Sequence, residues 1–570
     1  MHLFYNVALV YSSVLIAAIA GYYHVLLPAW SDIIPVETHC YKSVRTNLAA
    51  EPYVNCFSVS STGKFVKVFR AGPDTDYAKN ANPGFAMPGL WDGHGHLQQY
   101  GEFLNSVDLF GSTSMDDVRS RILAYADENP KAGSKAEWLR GIGWDQMALG
   151  KTPTADDLAA DKKLKNMYIM LDRVDVHCIW VSQPVLDLLP EHIPDIPGGQ
   201  VVTDPGMGVF CDNAMDMVMA LWPKPDKDKK KQFVKSAMAK LNEVGLVGIH
   251  DAGVTPGNLN LYKELVGTDD WTVRVYAMIE CNERNTFCPH EVKKFKSPDG
   301  FLTVNSVKLF ADGALGSWGS ALLEPYTDRP ETSGTLLVNA SELVYDTVAW
   351  AREGYQVNIH AIGDLANRNA VDAITVALRL LCPNETLSLC QSRHRFRIEH
   401  SQIIHLDDQA RIHAVGIIPS IQPTHATSDM AYAETRLGNE RTAREAYRMR
   451  SLLNVSPVLG SDFPVEPPDP FQGIYAAVTR RSPHTGKGPS NTSRGWHMNE
   501  ALDLDHAIRG FTDGPAHGAF MDGKAGVIKP GAFADWIVLD KPLEDTWVED
   551  LRSFRVKETW VGAKKVYSRE

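Results

Sequence analysis

Eight short apolar, β-rich stretches recur along the chain, and no other property of the sequence narrows the possible folds as much. They are "FAMPGLWDGHGH" (85–96), "GLVGIHDAG" (245–253), "TVRVYAMIE" (272–280), "TVNSVKLFADGA" (303–314), "YQVNIHAIGD" (355–364), "RFRIEHSQ" (395–402), "GIIPSIQPTH" (416–425) and "SPVLGSDFPV" (456–465). Helix-like segments such as "KKQFVKSAMAKLNEVG" (230–245) and "SELVYDTVAWAREG" (341–354) lie between several of them. Strands that alternate with helices argue for parallel β/α units. Eight such units predict an α/β protein built on a closed (β/α)8 TIM barrel, over residues 87–521.

One connection is far too long for a simple β/α loop. About 150 residues separate His96 from Gly245, so an inserted subdomain is expected over about 100–240, on the first β/α loop. Such loops lie at the active-site end of a barrel, where the insert can shape a substrate pocket. The flanks alternate like strands, at 52–71 and again at 525–569. They predict a small composite β-sandwich assembled from residues 32–86 and 522–570.

The chemistry gathers at the ends of the proposed strands. The first ends in His94 and His96, the fourth carries Lys308, the fifth ends in His360, the sixth in His400 and the eighth in Asp462. Side chains on a strand alternate faces, so His94 and His96 share one face, as do Lys308 and Asp312. Strand ends at the C-terminal side of a barrel converge. Four histidines, a lysine and an aspartate would then share one cup. Taken singly, each has an ordinary structural explanation; six at corresponding strand ends point to a metal site. Imidazole and carboxylate suit Zn²⁺ and similar divalent ions. A buried lysine loses its proton readily, and the neutral amine can capture carbon dioxide as a carbamate that bridges two cations. Trp144, His177 and Asp312 are candidate substrate contacts.

Net charge is −12, and "KPDKDKKK" (224–231) is the single basic run. That speaks against a nucleic-acid partner. From Leu3 to Trp30 there is no Asp, Glu, Lys or Arg, and about 20 apolar residues suffice to span a bilayer. A basic leader is missing, so residues 1–31 are expected to be an uncleaved signal anchor, or a signal peptide cut after "AAIA". Sequons stand at Asn339, Asn384 and Asn491, with a weaker one at Asn454 before Pro457. The eight cysteines include two close pairs, Cys281/Cys288 and Cys382/Cys390, suited to local disulfides, and none has a C-x-x-C spacing. These features together predict a lumenal or extracellular catalytic domain, membrane-anchored through its N-terminal segment or secreted. A homodimer is a possible assembly.

"MPGLWDGHGH", "VKLFADGALGSWGSALLEPY", "VNIHAIGDLAN", "RIEHSQ", "GSDFPVEPPDPFQGIYAAVTR" and "GVIKPGAFADWIVLD" resemble the amidohydrolase superfamily. The branch they are most similar to is the amidohydrolase-3, YtcJ-like group, which includes N-substituted formamide deformylases. "GWDQ" and "LDRVDVHCIWVS" in the long connection look like the same branch. The resemblance implies a metal-dependent hydrolase on a (β/α)8 barrel. It also implies His94, His96, His360 and His400 as metal ligands, Lys308 as a carboxylated bridge, and Asp462 as ligand and proton shuttle. Cys178 and Ser182 depart from the pattern, which has a small residue and an asparagine there. The expected activity is cleavage of a non-peptide C–N bond in a small amide-type substrate by metal-activated hydroxide, with one or two ions, zinc first among them. The alternatives are an ester, lactone or phosphoester hydrolase on the same site, and a membrane-tethered non-catalytic scaffold. A scaffold is free to lose ligands, and this chain keeps all six.

Overall fold

The computed structural model describes residues 36–570. The expected anchor at 1–31 lies outside them. Among the described residues no helix is long and apolar enough to cross a membrane.

The eight expected strands all form. They are β1 (Leu90–Gly95), β2 (Leu246–Val254), β3 (Arg274–Ile279), β4 (Leu302–Phe310), β5 (Gln356–Ala361), β6 (Arg397–His400), β7 (Ile418–Ile421) and β8 (Val458–Leu459). Each pairs in parallel with its neighbour in chain order. The circle closes through a parallel bridge between Gly95 and Phe463. Two backbone bonds flank that bridge: Asp462 N–H donates to the His94 carbonyl at 2.7 Å, and His96 N–H to the Phe463 carbonyl at 2.8 Å. The seam is tight because Gly93 and Gly95 carry no side chain. A Cβ on Gly93 would lie 2.1 Å from Val458 Cγ1 and 2.6 Å from the Leu459 carbonyl.

Helices wrap the outside. Lys227–Glu243 starts where the Asp226 carboxylate accepts the Lys229 N–H, and it buries Phe233, Val234, Ala237, Met238 and Leu241. That spacing is one helical face. Asn339 caps Ala340–Arg352 in the same way, through the Glu342 N–H. The seventh run ends its strand earlier than expected. Pro423 sits in the first turn of a helix, Pro423–Asp429. Proline has no N–H to give the sheet and fits a helix start, so "PTH" leaves the barrel wall.

Residues between β1 and β2 form a separate six-stranded sheet. Its core includes Val107, Leu109, Leu139, Trp144, Leu171 and Trp180. A disulfide between Cys178 and Cys211 ties two of its strands at directly opposed positions. This bond accounts for the cysteine where the resemblance has a small residue. Ser182 donates to the Met167 carbonyl at 2.7 Å and accepts the Ile169 N–H at 3.0 Å, so it stitches the same sheet.

Both chain ends build one seven-stranded sheet, with Val36–Arg45, Tyr53–Ser60, Phe65–Phe69 and Asn82–Pro88 beside Trp536–Leu539, Glu558–Val561 and Lys564–Ser568. A sandwich of two sheets was expected; one curled sheet is found. Neighbouring strands lie about 4.8 Å apart, so strands four places apart in a flat sheet could not touch. Yet the Phe65 and Trp536 rings, on such strands, have centroids 6.2 Å apart, and Phe57 meets Trp536 at 5.1 Å. The sheet folds its apolar face over itself and so encloses a core without a second layer.

Candidate metal centre

The C-terminal ends of the barrel strands meet around His94. Its Nε2 lies 3.1 Å from Lys308 Nζ and 3.4 Å from Asp462 Oδ1. Asp462 Oδ1 is 3.0 Å from His96 Nε2. Ring centroids of His94 and His400 are 4.9 Å apart, and those of His360 and His400 are 4.3 Å apart. The six residues expected from the strand ends are therefore in one cluster. Register explains it in part: His360 pairs with Glu399, and Phe310 with His360, so β4, β5 and β6 end at one level. His400 and Asp462 both adopt left-handed backbone, at φ of 70° and 63°. Such conformations are strained for these residues and persist where surrounding structure fixes them. Here they turn the chain at the strand end and aim both side chains inward.

Several side chains that the strand-end pattern did not single out hold this arrangement. Asp92 accepts the His94 N–H at 3.0 Å and the Ser461 hydroxyl at 2.6 Å, tying β1 to the segment after β8. Burial pushes its carboxyl up to about 7. Glu399 Oε2 lies 2.5 Å from His94 Nδ1. Arg397, also fully buried, donates to Glu399 at 3.1 Å, to the Gly93 carbonyl at 3.0 Å and to Ser420 at 3.0 Å, and meets His250 Nδ1 at 2.6 Å. Arg397 and Glu399 occupy positions i and i+2 of one strand, so they share its inner face. Burial alone would raise the Glu399 carboxyl; the Arg397 guanidinium and the His94 ring outweigh it and hold Glu399 well below the usual carboxylate range.

The electrostatics favour neutral imidazoles beside an ionised carboxylate. Burial, then the Lys308 charge, lowers His94 to about 4. Burial with Lys308 and neighbouring rings holds His360 and His400 well below the usual histidine value. Burial would raise Asp462, but His94, His96 and His425 together push it far below the normal range. Burial lowers Lys308 as well. Neutral imidazole and ionised carboxylate are the protonation states that bind metal.

The donor set fits a divalent cation on a second ground. Both ring nitrogens of His360 and Nδ1 of His400 are buried without any hydrogen-bond partner. Buried polar atoms are nearly always paired. Buried imidazole nitrogens left without hydrogen bonds in a cluster that holds an ionised carboxylate are what a coordinated ion would satisfy.

The three candidate substrate contacts fare differently. His177, from the insert, lies at the cluster: its ring is 5.6 Å from that of His360, and its Nδ1 is 2.9 Å from Asp212. Asp312 reaches His360 Nδ1 at 3.3 Å. Its carboxylate is fully buried, raised to about 7 by that burial, and accepts the N–H groups of Ala321, Ile362 and Gly363. Asp312 thus braces the loops around His360 and has no surface to offer a substrate. Trp144 is not at the site. It is 1% exposed, in the core of the insert, with Nε1 donating to the Leu171 carbonyl at 2.9 Å.

Comparison with known proteins agrees with this geometry. Residues 79–567 match the family described as "Amidohydrolase family". The chain is 28% identical over 535 residues to YtcJ of Bacillus subtilis (strain 168), a candidate amidohydrolase by its name, covering 91% of this chain and 96% of that protein. It is 24% identical to an N-substituted formamide deformylase of Arthrobacter pascens, covering 85% of this chain and 88% of the relative. Among solved structures, a metal-dependent hydrolase from Pyrococcus furiosus superposes with a TM-score of 0.67 at 25% identity, covering 89% of this chain and 99% of the other.

Proposed function

The chain belongs to the amidohydrolase family, in its amidohydrolase-3, YtcJ-like branch, as a metal-dependent hydrolase, and we propose that the bond it cleaves is a non-peptide C–N bond of a small amide-type molecule. The observation that carries this reading is the convergence of four histidines, Lys308 and Asp462 in one cluster, with buried ring nitrogens of His360 and His400 left without hydrogen bonds.

His94, His96, His360, His400 and Asp462 would hold one or two divalent ions, zinc in this reading. A carboxylated Lys308 would complete the set; burial favours the neutral amine that carboxylation consumes. Such an ion, when bound, polarises a carbonyl and makes water acidic enough to attack at neutral pH. The residues do the rest. Asp462 starts as the anion, takes the proton of the attacking water and hands it to the leaving nitrogen. Glu399 fixes the His94 ring through Nδ1, leaving Nε2 for the ion. Asp312 holds the loops beside His360 in place. The insert brings His177 over the cluster, where it can contact a substrate.

The same reading places the catalytic domain in the secretory pathway, membrane-anchored or secreted. All eight cysteines are paired, as Cys40–Cys56, Cys178–Cys211, Cys281–Cys288 and Cys382–Cys390. Disulfides of this number persist in oxidising compartments. The sequon residues Asn339, Asn384, Asn454 and Asn491 are all exposed.

The test is a hydrolysis screen of zinc-loaded protein over formamides, N-acyl amino acids, cyclic amides and esters, with and without chelator. Chelator-sensitive release of an amine from an amide-class compound is the expected result. Turnover confined to esters or phosphoesters would overturn the assignment of the bond.

A further inference from the structure

One imidazole at the mouth of the barrel has no task in the account above. His425 lies on the short helix Pro423–Asp429 after β7, in the last residues of "GIIPSIQPTH". Its Nε2 is 3.7 Å from Asp462 Oδ2. Its ring lies parallel to that of His400, with 8° between planes and 5.9 Å between centroids. Nε2 is buried and has no hydrogen-bond partner.

The 3.7 Å gap is too long for a hydrogen bond. It suits a pair of ligands on one ion. Zinc ligands lie about 2.0–2.2 Å from a tetrahedral centre, which sets neighbouring donor atoms roughly 3.4 Å apart. The two oxygens of Asp462 also face different partners. Oδ1 meets His96 and His94 at 3.0 and 3.4 Å, whereas Oδ2 faces His425. Donor atoms of His94, His96 and Asp462 all lie within 4.8 Å of one another, and so do those of His400, His425 and Asp462. A cavity of about 10 Å³ bounded by His400, Gln402, His425 and Tyr447 lies against the second group. That volume is the scale of a single water-sized occupant.

We propose that His425 is a metal ligand. With His400 and Asp462 Oδ2, and with His360 and Lys308 beside them, it would line a second cation position next to the first, built by His94, His96 and Asp462 Oδ1. This assignment rests on the metal-dependent reading of the site and extends its ligand set beyond the strand ends.

The test is metal stoichiometry of the purified full chain after zinc loading, with cobalt substitution as a spectroscopic readout. Wild type is expected to hold two equivalents and His425→Gln one, with a changed cobalt absorption spectrum and a smaller zinc-induced rise in melting temperature. His425→Asn is the second variant, and melting of each protein in chelator establishes that it folds without metal. Full stoichiometry and unchanged zinc affinity in both folded variants would overturn the proposal, as would one equivalent in wild type. His94→Ala separates the two levels of the argument. If it abolishes binding at the first position while the His425 variants bind like wild type, the hydrolase reading stands and only the role of His425 falls. If wild type binds no metal, both fall.

Discussion

Glu399→Gln isolates the contribution of a carboxylate that touches no metal. Glu399 sits 2.5 Å from His94 Nδ1 and is fully buried with Arg397. The amide keeps the shape and one acceptor but removes the charge that orients the His94 ring. Losing such a partner to a metal-binding histidine costs roughly 10–100-fold in metal affinity or activity, which is about 1.4–2.8 kcal/mol. A separate cost falls on the fold. Removing one member of a buried ion pair typically costs about 3–5 kcal/mol. Arg397 keeps Gly93, Ser420 and His250 as partners, so the lower end, about 3 kcal/mol, is expected. The sign of the pH effect follows from the depressed carboxyl. Its stabilisation is fully present above the unfolded value of about 4.3 and fades as pH falls toward the lower folded value. The variant should therefore lose stability at neutral pH and show a shallower acid limb below about pH 4.3. Zinc affinity is read by chelator competition and stability by denaturant titration over pH. Affinity within about twofold of wild type, in a folded variant, would refute the argued role of Glu399.

Other consequences follow from the same geometry. Metal-free protein should lose stability as pH falls from about 6.5 toward 4, because His94, His360 and His400 are held neutral below their unfolded value. His360→Asn should flatten that slope, and an unchanged slope would count against the buried neutral cluster. Gly93→Ala forces a methyl against Val458 and the Leu459 carbonyl, and should destabilise the barrel seam by about 1–3 kcal/mol in denaturant titration; an unchanged midpoint would contradict the closure described. Chain produced through a eukaryotic secretory route should lose mass on N-glycosidase treatment, from sugars on some of Asn339, Asn384, Asn454 and Asn491; no mass change would contradict the proposed compartment.

The barrel was legible because each parallel strand is buried on both faces and reads as a compact apolar run. The clustered histidines and Asp462 were legible because they lie at or near the ends of those runs. The residues that brace the cluster were harder to find, although "RIEH" carried a signal. Arg397 and Glu399 alternate on one face of a strand that must point into the barrel, so two opposite charges there imply a buried pair. His425 was hidden by the expectation that its run stayed a strand, although Pro423 marks the helix that carries it. Trp144 and Asp312, expected as substrate contacts, have structural surroundings that the sequence did not separate. Each lies near strand-end sequence, but the tryptophan fills a core and the aspartate caps backbone. The sheet at the chain ends alternates as either architecture would. The unbroken pairing of all seven strands makes it one sheet, and the contacts of Trp536 with Phe57 and Phe65 show that it curls over its own apolar face.

The central claim is that this cluster is a metal site that hydrolyses amide-type bonds. It is tested most directly by following amine release from the best amide in the screen, for native, chelated and zinc-reloaded protein in turn. Turnover should vanish on chelation and return with zinc. Amide turnover that persists in metal-free protein would contradict the account.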